Sequence, residues 1–185
     1  MSVIRPVLLF LALLALAGCV SEDHLPYYAA PNPYDNPAKD RDQMTLERTA
    51  CYGFCPVYKV KVSERDILVF VGERFVTETG GAISKRLPDG SFDKLMRIAK
   101  TYGFSDFDAQ YPDADGANCP QRATDMPSVV ISYKAERLTH AVDLYQGCFG
   151  FAGREKLDAM IAEIDAVLDL DEWIGPREAF YGAKE

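Results

Sequence analysis

Histidine is scarce in this chain, and its scarcity narrows the catalytic chemistry that the sequence supports. Only two of the 185 residues are histidines, His24 and His140. A Ser–His–Asp hydrolase would have to use His140, and no G-x-S-x-G nucleophile elbow occurs. His140 alternates with Leu138, Val142 and Leu144, which indicates a hydrogen-bonded structural histidine on one face of a strand. We therefore expect a protein that is not an enzyme, with no catalytic residues and no cofactor.

Positive charge is also in short supply. The chain has 20 Lys and Arg residues against 28 Asp and Glu residues, so its formal net charge is −8. Proteins that bind nucleic acid need Lys and Arg to neutralise phosphates, so we expect no nucleic-acid partner. No run rich in Lys or Arg lies near the N-terminus either, so we do not expect the protein to lie flat on anionic lipid.

Long apolar runs are missing except for one at the N-terminus. Val7–Ala17 carries no charge and follows Arg5. This run is shorter than the roughly 20 apolar residues that span a bilayer, and it fits the hydrophobic region of a secretory signal. It leads into the sequence LAGC at 16–19, which closely resembles the bacterial lipobox. We predict that residues 1–18 are a lipoprotein signal peptide and that Cys19 is the lipidation site.

A lipidated N-terminus predicts where the protein resides. Each buried CH₂ group of an acyl chain contributes about 0.8 kcal/mol, so several chains anchor a protein effectively permanently. An Asp after the lipidated cysteine resembles an inner-membrane retention signal, and here that residue is Val20. We therefore predict a cell-envelope protein that is lipid-anchored to the outer membrane and faces the periplasm. Its predicted partners are the membrane, through the anchor, and an envelope protein.

The segment after the predicted anchor has the composition of a tether. It combines mixed charges with no apolar periodicity, so it cannot bury enough surface to offset its ordering entropy. We predict a lipidated cysteine plus a proline-rich tether over 19–43, a single α+β domain over 44–175 and a C-terminal tail over 176–185. The prolines of the tether are Pro26, Pro31, Pro33 and Pro37.

The first half of the predicted domain alternates apolar and polar residues, as strands do. The predicted strands are 44–50, 57–63, 67–71 and 74–79, followed by a brief strand near Ile83. Short turns separate them, so we expect an antiparallel meander.

Two helices and a hairpin complete the predicted fold. The first helix begins near Ser91 as its N-cap and ends at Gly103. A polar loop, two strands at 128–133 and 138–145, and a helix at 154–168 follow. Trp173 and Ile174 in the C-terminal stretch are expected to dock on the core. The fold class is therefore α+β: an antiparallel sheet of about five to seven strands with two helices packed on one face, in the order β-meander, α, β-hairpin, α.

Four cysteines remain after Cys19 is assigned to lipidation, and an even number in an exported domain indicates disulfides. Three pairings are possible. The close spacing of Cys51 and Cys55, with Gly53 between them, favours a Cys51–Cys55 bridge and a second bridge between Cys119 and Cys148.

Other functions of the cysteines and the acidic residues are alternatives. A thiol–disulfide protein using Cys51 and Cys55 would have an unusual spacing, because redox sites use C-x-x-C before a helix and a strand is predicted here. A metal-binding accessory lipoprotein could use the thiols or the acidic loop at 104–120. The thiols lack a second C-x₂-C half, and Tyr111 stands where a calcium loop needs its first acidic ligand. We therefore predict no metal ligands, and an interaction, binding or structural domain is the leading hypothesis.

The loop at 104–120 and the aromatic residues near the cysteines leave smaller questions open. Four aspartates crowd the loop, and we expect them to be solvated. The aromatic residues either pack around the disulfides or line an exposed recognition surface. The aspartates are Asp106, Asp108, Asp113 and Asp115, and the aromatic residues are Tyr52, Phe54, Tyr58, Tyr145, Phe149 and Phe151.

Three segments of the domain resemble a known family. TACYGFCPVY at 49–58 and GERFVTETG at 72–80 are similar to an uncharacterised bacterial family of exported proteins and lipoproteins with the motif C-[FY]-G-x-C-P-x-Y. The T-D-x-P-S run at 124–128 resembles the longer members, in which such a run precedes a strand. Because the function of that family is unknown, the resemblance supplies no catalytic residues. It implies a Cys51–Cys55 bridge, since shorter members look to carry this motif without the later cysteines. The matching positions are Cys51, Gly53, Cys55, Pro56, Tyr58, Thr124, Asp125 and Pro127.

Overall fold

A computed structural model describes residues 41–180. The predicted signal peptide, Cys19, nearly all of the predicted tether and the end of the predicted tail lie outside the described residues. The strands are β1 (Gln43–Arg48), β2 (Val57–Ser63), β3 (Ile67–Arg74), β4 (Ala82–Arg86), β5 (Gln110–Tyr111), β6 (Gln121–Arg122), β7 (Ser128–Ala135), β8 (Leu138–Tyr145) and β9 (Cys148–Phe149). The helices are α1 (Ser91–Thr101), α2 (Arg154–Leu168) and α3 (Asp171–Ile174).

Seven strands form one sheet in the order β4-β3-β2-β1-β7-β8-β5, and β6 pairs with β9 in a second, two-stranded sheet. The predicted α+β class is confirmed. The prediction of a wholly antiparallel sheet is wrong in one place, because β5 runs parallel to β8. The polar loop after α1 returns along that edge, and the amide of Asp143 donates to the carbonyl oxygen of Ala109 at 2.9 Å. A strand of two residues shows no alternation from which a sequence could predict it.

The hydrophobic core lies between one face of the seven-stranded sheet and the two long helices. Alternate residues of β1, β2, β3, β7 and β8 point into it, as the two-residue period of a strand requires. Side chains of α1 and α2 join the same buried cluster, so both helices pack on one face, as predicted. Tyr133 is almost fully buried, and its hydroxyl donates to the carbonyl oxygen of Leu95 at 3.1 Å. Burial raises the pKa of Tyr133, so its hydroxyl stays protonated at physiological pH.

A residue from a distant turn caps the start of α1. The prediction that Ser91 is the N-cap is wrong, because Gly90 occupies that position with φ +83° and Ser91 is the first residue of the helix. The carboxylate of Asp66, in the β2–β3 turn, accepts the amide of Gly90 at 2.8 Å and that of Phe92 at 2.7 Å. Asp66 thereby satisfies two helix-start donors and ties the turn to α1.

The segment after β3 is a loop, so the predicted strand at 74–79 is wrong. β3 ends at Arg74, and Phe75 adopts a left-handed conformation with φ +54°. The chain then turns back, and Val76 is buried. A non-glycine residue with positive φ ends the extended geometry that a ladder needs.

This loop joins the C-terminal part of the domain. The amides of Thr77 and Glu78 donate to the carbonyl oxygens of Ile174 and Trp173 at 3.1 and 3.0 Å. The Trp173 ring packs 5.5 Å from the ring of Phe70. The predicted docking of Trp173 and Ile174 on the core is therefore confirmed. Among residues 41–180, no helix is both long enough and apolar enough to cross a membrane.

Candidate functional site

The structure joins the four cysteines in the pairing that their spacing favoured. Cys51 bonds to Cys55 with a Cα–Cα distance of 5.7 Å, and Cys119 bonds to Cys148 with a Cα–Cα distance of 5.4 Å. The second bridge is buried and ties the acidic loop to β9, whereas the first is half-buried at the surface. The first bridge is therefore the one that solvent and ligands reach.

The Cys51–Cys55 loop contacts the T-D-x-P segment at 124–127, which also belongs to the family resemblance. Gly53 has φ +144°, a conformation that side chains rarely allow, and its amide donates to the carbonyl oxygen of Cys51 at 3.1 Å. The amide of Tyr52 donates to the carbonyl oxygen of Asp125 at 3.1 Å. The Cys51–Cys55 loop and the T-D-x-P segment, more than 60 residues apart in the chain, therefore lie side by side.

These two segments enclose a pocket of about 470 Å³, which we call the motif pocket. The Cys51–Cys55 bridge forms part of its wall, and residues 125–127 of the T-D-x-P segment form another part. The lining residues are Arg48, Cys51, Tyr52, Cys55, Pro56, Tyr58, Asp125, Met126, Pro127, Gln146, Ile174 and Arg177. Six of the eight positions that carry the family resemblance line this pocket. The matching residues therefore form a pocket in addition to the Cys51–Cys55 bridge.

Arg48 gives the motif pocket a fixed positive charge. Its Nη2 atom lies 2.5 Å from Oδ2 of Asp165 on α2, and 20% of its side chain is exposed. Burial lowers the pKa of Arg48, but the charge of Asp165 and the hydrogen bonds of Arg48 to Asp165 and Tyr58 more than offset that effect, so the pKa is raised. Burial also raises the pKa of Tyr58. Neither group exchanges a proton near neutral pH, so the pair is suited to binding and poorly suited to acid–base catalysis.

Large side chains stand exposed at the rim of the motif pocket. Tyr52 is 90% exposed and Met126 is 40% exposed. Phe54, outside the pocket, is 41% exposed and contacts the ring of Phe75 at 5.2 Å. The aromatic residues near the cysteines therefore divide between the two predicted roles, because Tyr58 is buried while Tyr52 faces solvent.

The family of the chain follows from a comparison with known proteins. Residues 42–168 match a family described as a domain of unknown function, DUF6438. The chain belongs to the DUF6438 family. No curated protein matches it. The match spans both disulfides and all three segments of the resemblance, which confirms the predicted resemblance to a family of unknown function. The exported and lipidated context stays a prediction.

The acidic loop of this DUF6438 domain is held by an asparagine. The side-chain amide of Asn118 donates to Oδ2 of Asp108 at 2.9 Å, and its carbonyl oxygen accepts the amide of Asp113 at 2.8 Å. Asp106 belongs to a short 3-10 turn and Asp115 lies at the surface. Among residues 41–180, no three His, Cys, Asp or Glu side chains lie close enough together to hold a metal ion.

His140 of the DUF6438 domain has a structural position. Its Nε2 atom lies 3.0 Å from the carbonyl oxygen of Phe107, and its ring meets the ring of Phe104 edge to face at 5.3 Å. Both contacts hold the loop after α1 against β8. The predicted role of His140 as a hydrogen-bonded structural residue agrees with this position.

Sequence reasoning missed several residues of the motif pocket, including Arg48 and Met126. Arg48 ends a strand, where a charged residue is ordinary, and Met126 belongs to no recognisable motif role. Their importance depends on the pairing of β1 with β7, which brings Arg48 opposite Val129. The useful signal was the T-D-x-P run at 124–127, in which Met126 is the unspecified position.

Proposed function

We propose that this chain is a cell-envelope lipoprotein, anchored through Cys19, whose DUF6438 domain is a non-catalytic binding module for an envelope protein. The observation that carries the proposal is the exposure of Tyr52 and Met126 at the rim of the motif pocket. Large apolar and aromatic side chains grouped on a surface mark interaction sites, and aromatic residues and arginine dominate binding energies at such sites. Arg48 supplies the arginine at this one.

The ionisable groups of the motif pocket support a binding role over a catalytic one. Arg48 and Tyr58 both have raised pKa values, so the first stays charged and the second stays neutral at physiological pH. Asp125 accepts the hydroxyl of Thr124 at 2.9 Å, so its carboxylate is already engaged. A general acid or base works best with a pKa near the operating pH, and Arg48 and Tyr58 do not have one.

Photocrosslinking in intact cells tests the proposed binding surface, and Cys19→Ser tests the proposed anchor. We expect benzoylphenylalanine in place of Tyr52 to give an adduct of one discrete mass with an envelope protein. The matched control carries benzoylphenylalanine in place of Glu136, an exposed residue of the β7–β8 turn outside the motif pocket. In a separate measurement, Cys19→Ser should abolish the incorporation of labelled palmitate. Equal adducts at both positions would contradict the binding site, and palmitate labelling of Cys19→Ser would contradict the anchor.

Thiol–disulfide exchange is a second candidate, favoured by the half-buried Cys51–Cys55 bridge in the wall that also contains Arg48. A nearby cation stabilises a thiolate. A reduction potential of the bridge near −120 to −200 mV would favour this activity, and one below about −300 mV would identify a structural bridge. The metal-binding alternative has no such support, because all four described cysteines are joined in disulfides.

A further inference from the structure

A second pocket, remote from the motif residues, gathers positive charge. It has a volume of about 560 Å³ and lies between β4, the start of α1 and the end of α2. We call it the cationic pocket, because four cationic side chains line it against two carboxylates. The cations are Lys85, Arg86, Lys94 and Arg97, and the carboxylates are Asp89 and Asp169. A net positive lining stands out in a chain whose formal net charge is −8.

Two of these cations have structural partners. Lys85 donates through Nζ to the carbonyl oxygen of Asp169, which caps the C-terminus of α2, and its ammonium lies 5.0 Å from the Trp173 ring. A cation at a helix C-terminus is stabilised by the helix dipole. Arg86 lies 3.5 Å from Asp89 in an exposed pair, a contact of little energetic weight. The contacts of Lys85 therefore account for its position in the fold, and the weak pair with Asp89 accounts only in part for that of Arg86.

Lys94 and Arg97 have no such explanation. They lie three residues apart on α1 and are exposed, and among residues 41–180 neither side chain has a hydrogen-bond or ion-pair partner. Like charges one helical turn apart destabilise a helix by a few tenths of a kcal/mol. The backbone amides of Gly90 and Phe92 at the start of the helix are already bound by Asp66. The free positive charge at this pocket therefore comes from side chains.

We propose that the cationic pocket binds a phosphate group, carried by a small soluble ester or by a lipid headgroup. Lys94 and Arg97 supply the charge, and the guanidinium of Arg97 matches phosphate oxygens two at a time. Leu87 and Val167 give the pocket a buried apolar floor, which the carbon part of an ester contacts. This site is independent of the motif pocket and goes beyond the function proposed above.

The proposal is compatible with the absence of a Lys- and Arg-rich run near the predicted anchor. The sequence predicts that the protein does not lie flat on anionic lipid, because no such run exists. The fold instead brings cations from β4 and α1 to one concave place. Binding would therefore involve one phosphate group in a pocket, and not a broad surface.

Titration of the full chain carrying Cys19→Ser tests the proposal, since that variant cannot reach vesicles through an acyl anchor. The probes are inorganic phosphate, glycerol 3-phosphate, and vesicles of phosphatidylglycerol or of phosphatidylcholine. We expect Lys94→Glu with Arg97→Glu to weaken binding by about tenfold or more, because two charge-assisted hydrogen bonds are lost. The matched control, Lys100→Glu with Arg137→Glu, changes the net charge equally outside the cationic pocket and should leave binding nearly unchanged.

Each outcome of the titration is decisive. Binding of the soluble probes, without a preference for phosphatidylglycerol over phosphatidylcholine vesicles, assigns the site to a soluble phosphate ester. Binding of phosphatidylglycerol vesicles alone assigns it to a lipid headgroup. If no probe binds, or if both double variants weaken binding equally, the proposal is overturned. Neither failure affects the motif pocket, whose test uses different residues and a different partner.

Discussion

Replacing Cys119 and Cys148 together by alanine is expected to lower the free energy of unfolding by about 3.5 kcal/mol. The bridge closes a ring over a sequence separation of 29, so its loss frees a large amount of entropy in the unfolded chain. Both cysteines are buried, at 5% and 0% exposure. In the folded state the bridge holds the acidic loop against β9. The same double substitution at Cys51 and Cys55, with a separation of 4, should cost about 2 kcal/mol.

Urea unfolding followed by circular dichroism under oxidising conditions measures both losses. The Cys51 and Cys55 variant is the matched control, because it also replaces two bridged cysteines. A larger loss of unfolding free energy in the Cys51 and Cys55 variant would contradict the prediction. It would mean that the Cys51–Cys55 loop stabilises the fold more than its ring size implies. The comparison also distinguishes a bridge that stabilises the fold from one that mainly shapes the motif pocket. The second kind should stabilise the domain less, as we expect for Cys51–Cys55.

Gly72→Ala is expected to destabilise the domain by about 3 kcal/mol. Gly72 lies in β3, and an added Cβ would overlap the backbone carbonyl oxygen of Glu78 and lie 2.7 Å from Cγ2 of Val76. A backbone carbonyl cannot move aside as the end of a flexible side chain can. The loop after β3 would therefore have to leave the strand, and its hydrogen bonds to Trp173 and Ile174 would be strained or lost.

Gly80→Ala is the control for this substitution. Gly80 lies in the same loop with φ +87°, and a Cβ there meets no other atom within 4 Å. Only the cost of a left-handed alanine remains, about 1 kcal/mol. Thermal and urea unfolding of the two variants should therefore differ by about 2 kcal/mol. Equal stabilities would show that the close approach of Glu78 to Gly72 does not limit the fold.

Periodicity predicted the regular elements of this domain because local patterns determine them. β2 and β8 begin and end where alternation placed them, and the helix predicted at 154–168 is α2. In each of these elements the apolar residues repeat with the period of the structure that they form. The packing of both helices on one face of the sheet was predicted as well. Each element has one apolar face, and few arrangements bury all of these faces.

Interactions between distant segments could not be predicted from the sequence. Asp66 caps a helix that begins 25 residues later, so no local pattern near Ser91 reveals it. Phe75 takes a positive φ because the chain folds back over Gly72, a constraint that exists only once the loop has packed.

The motif pocket shows the same division. Its cysteine loop was predicted, and its second wall was recognised only as a resemblance. The placement of Arg48 on Asp165 required the register of β1 and the position of α2. A site assembled from three parts of the chain cannot be derived from any one of them.

The position of β1 in the sheet bears on how the domain folds. β1 is the fourth of seven strands in space but the first in sequence, and it pairs with β2 on one side and with β7 on the other. Leu46 lies opposite Ile131, so this contact closes only after most of the domain has been synthesised. Contacts of such long range slow folding and prolong the exposure of unpaired strand edges. During synthesis, the meander of β1 to β4 would therefore keep an unpaired edge, and a chaperone that holds unfolded chains would find a binding site there.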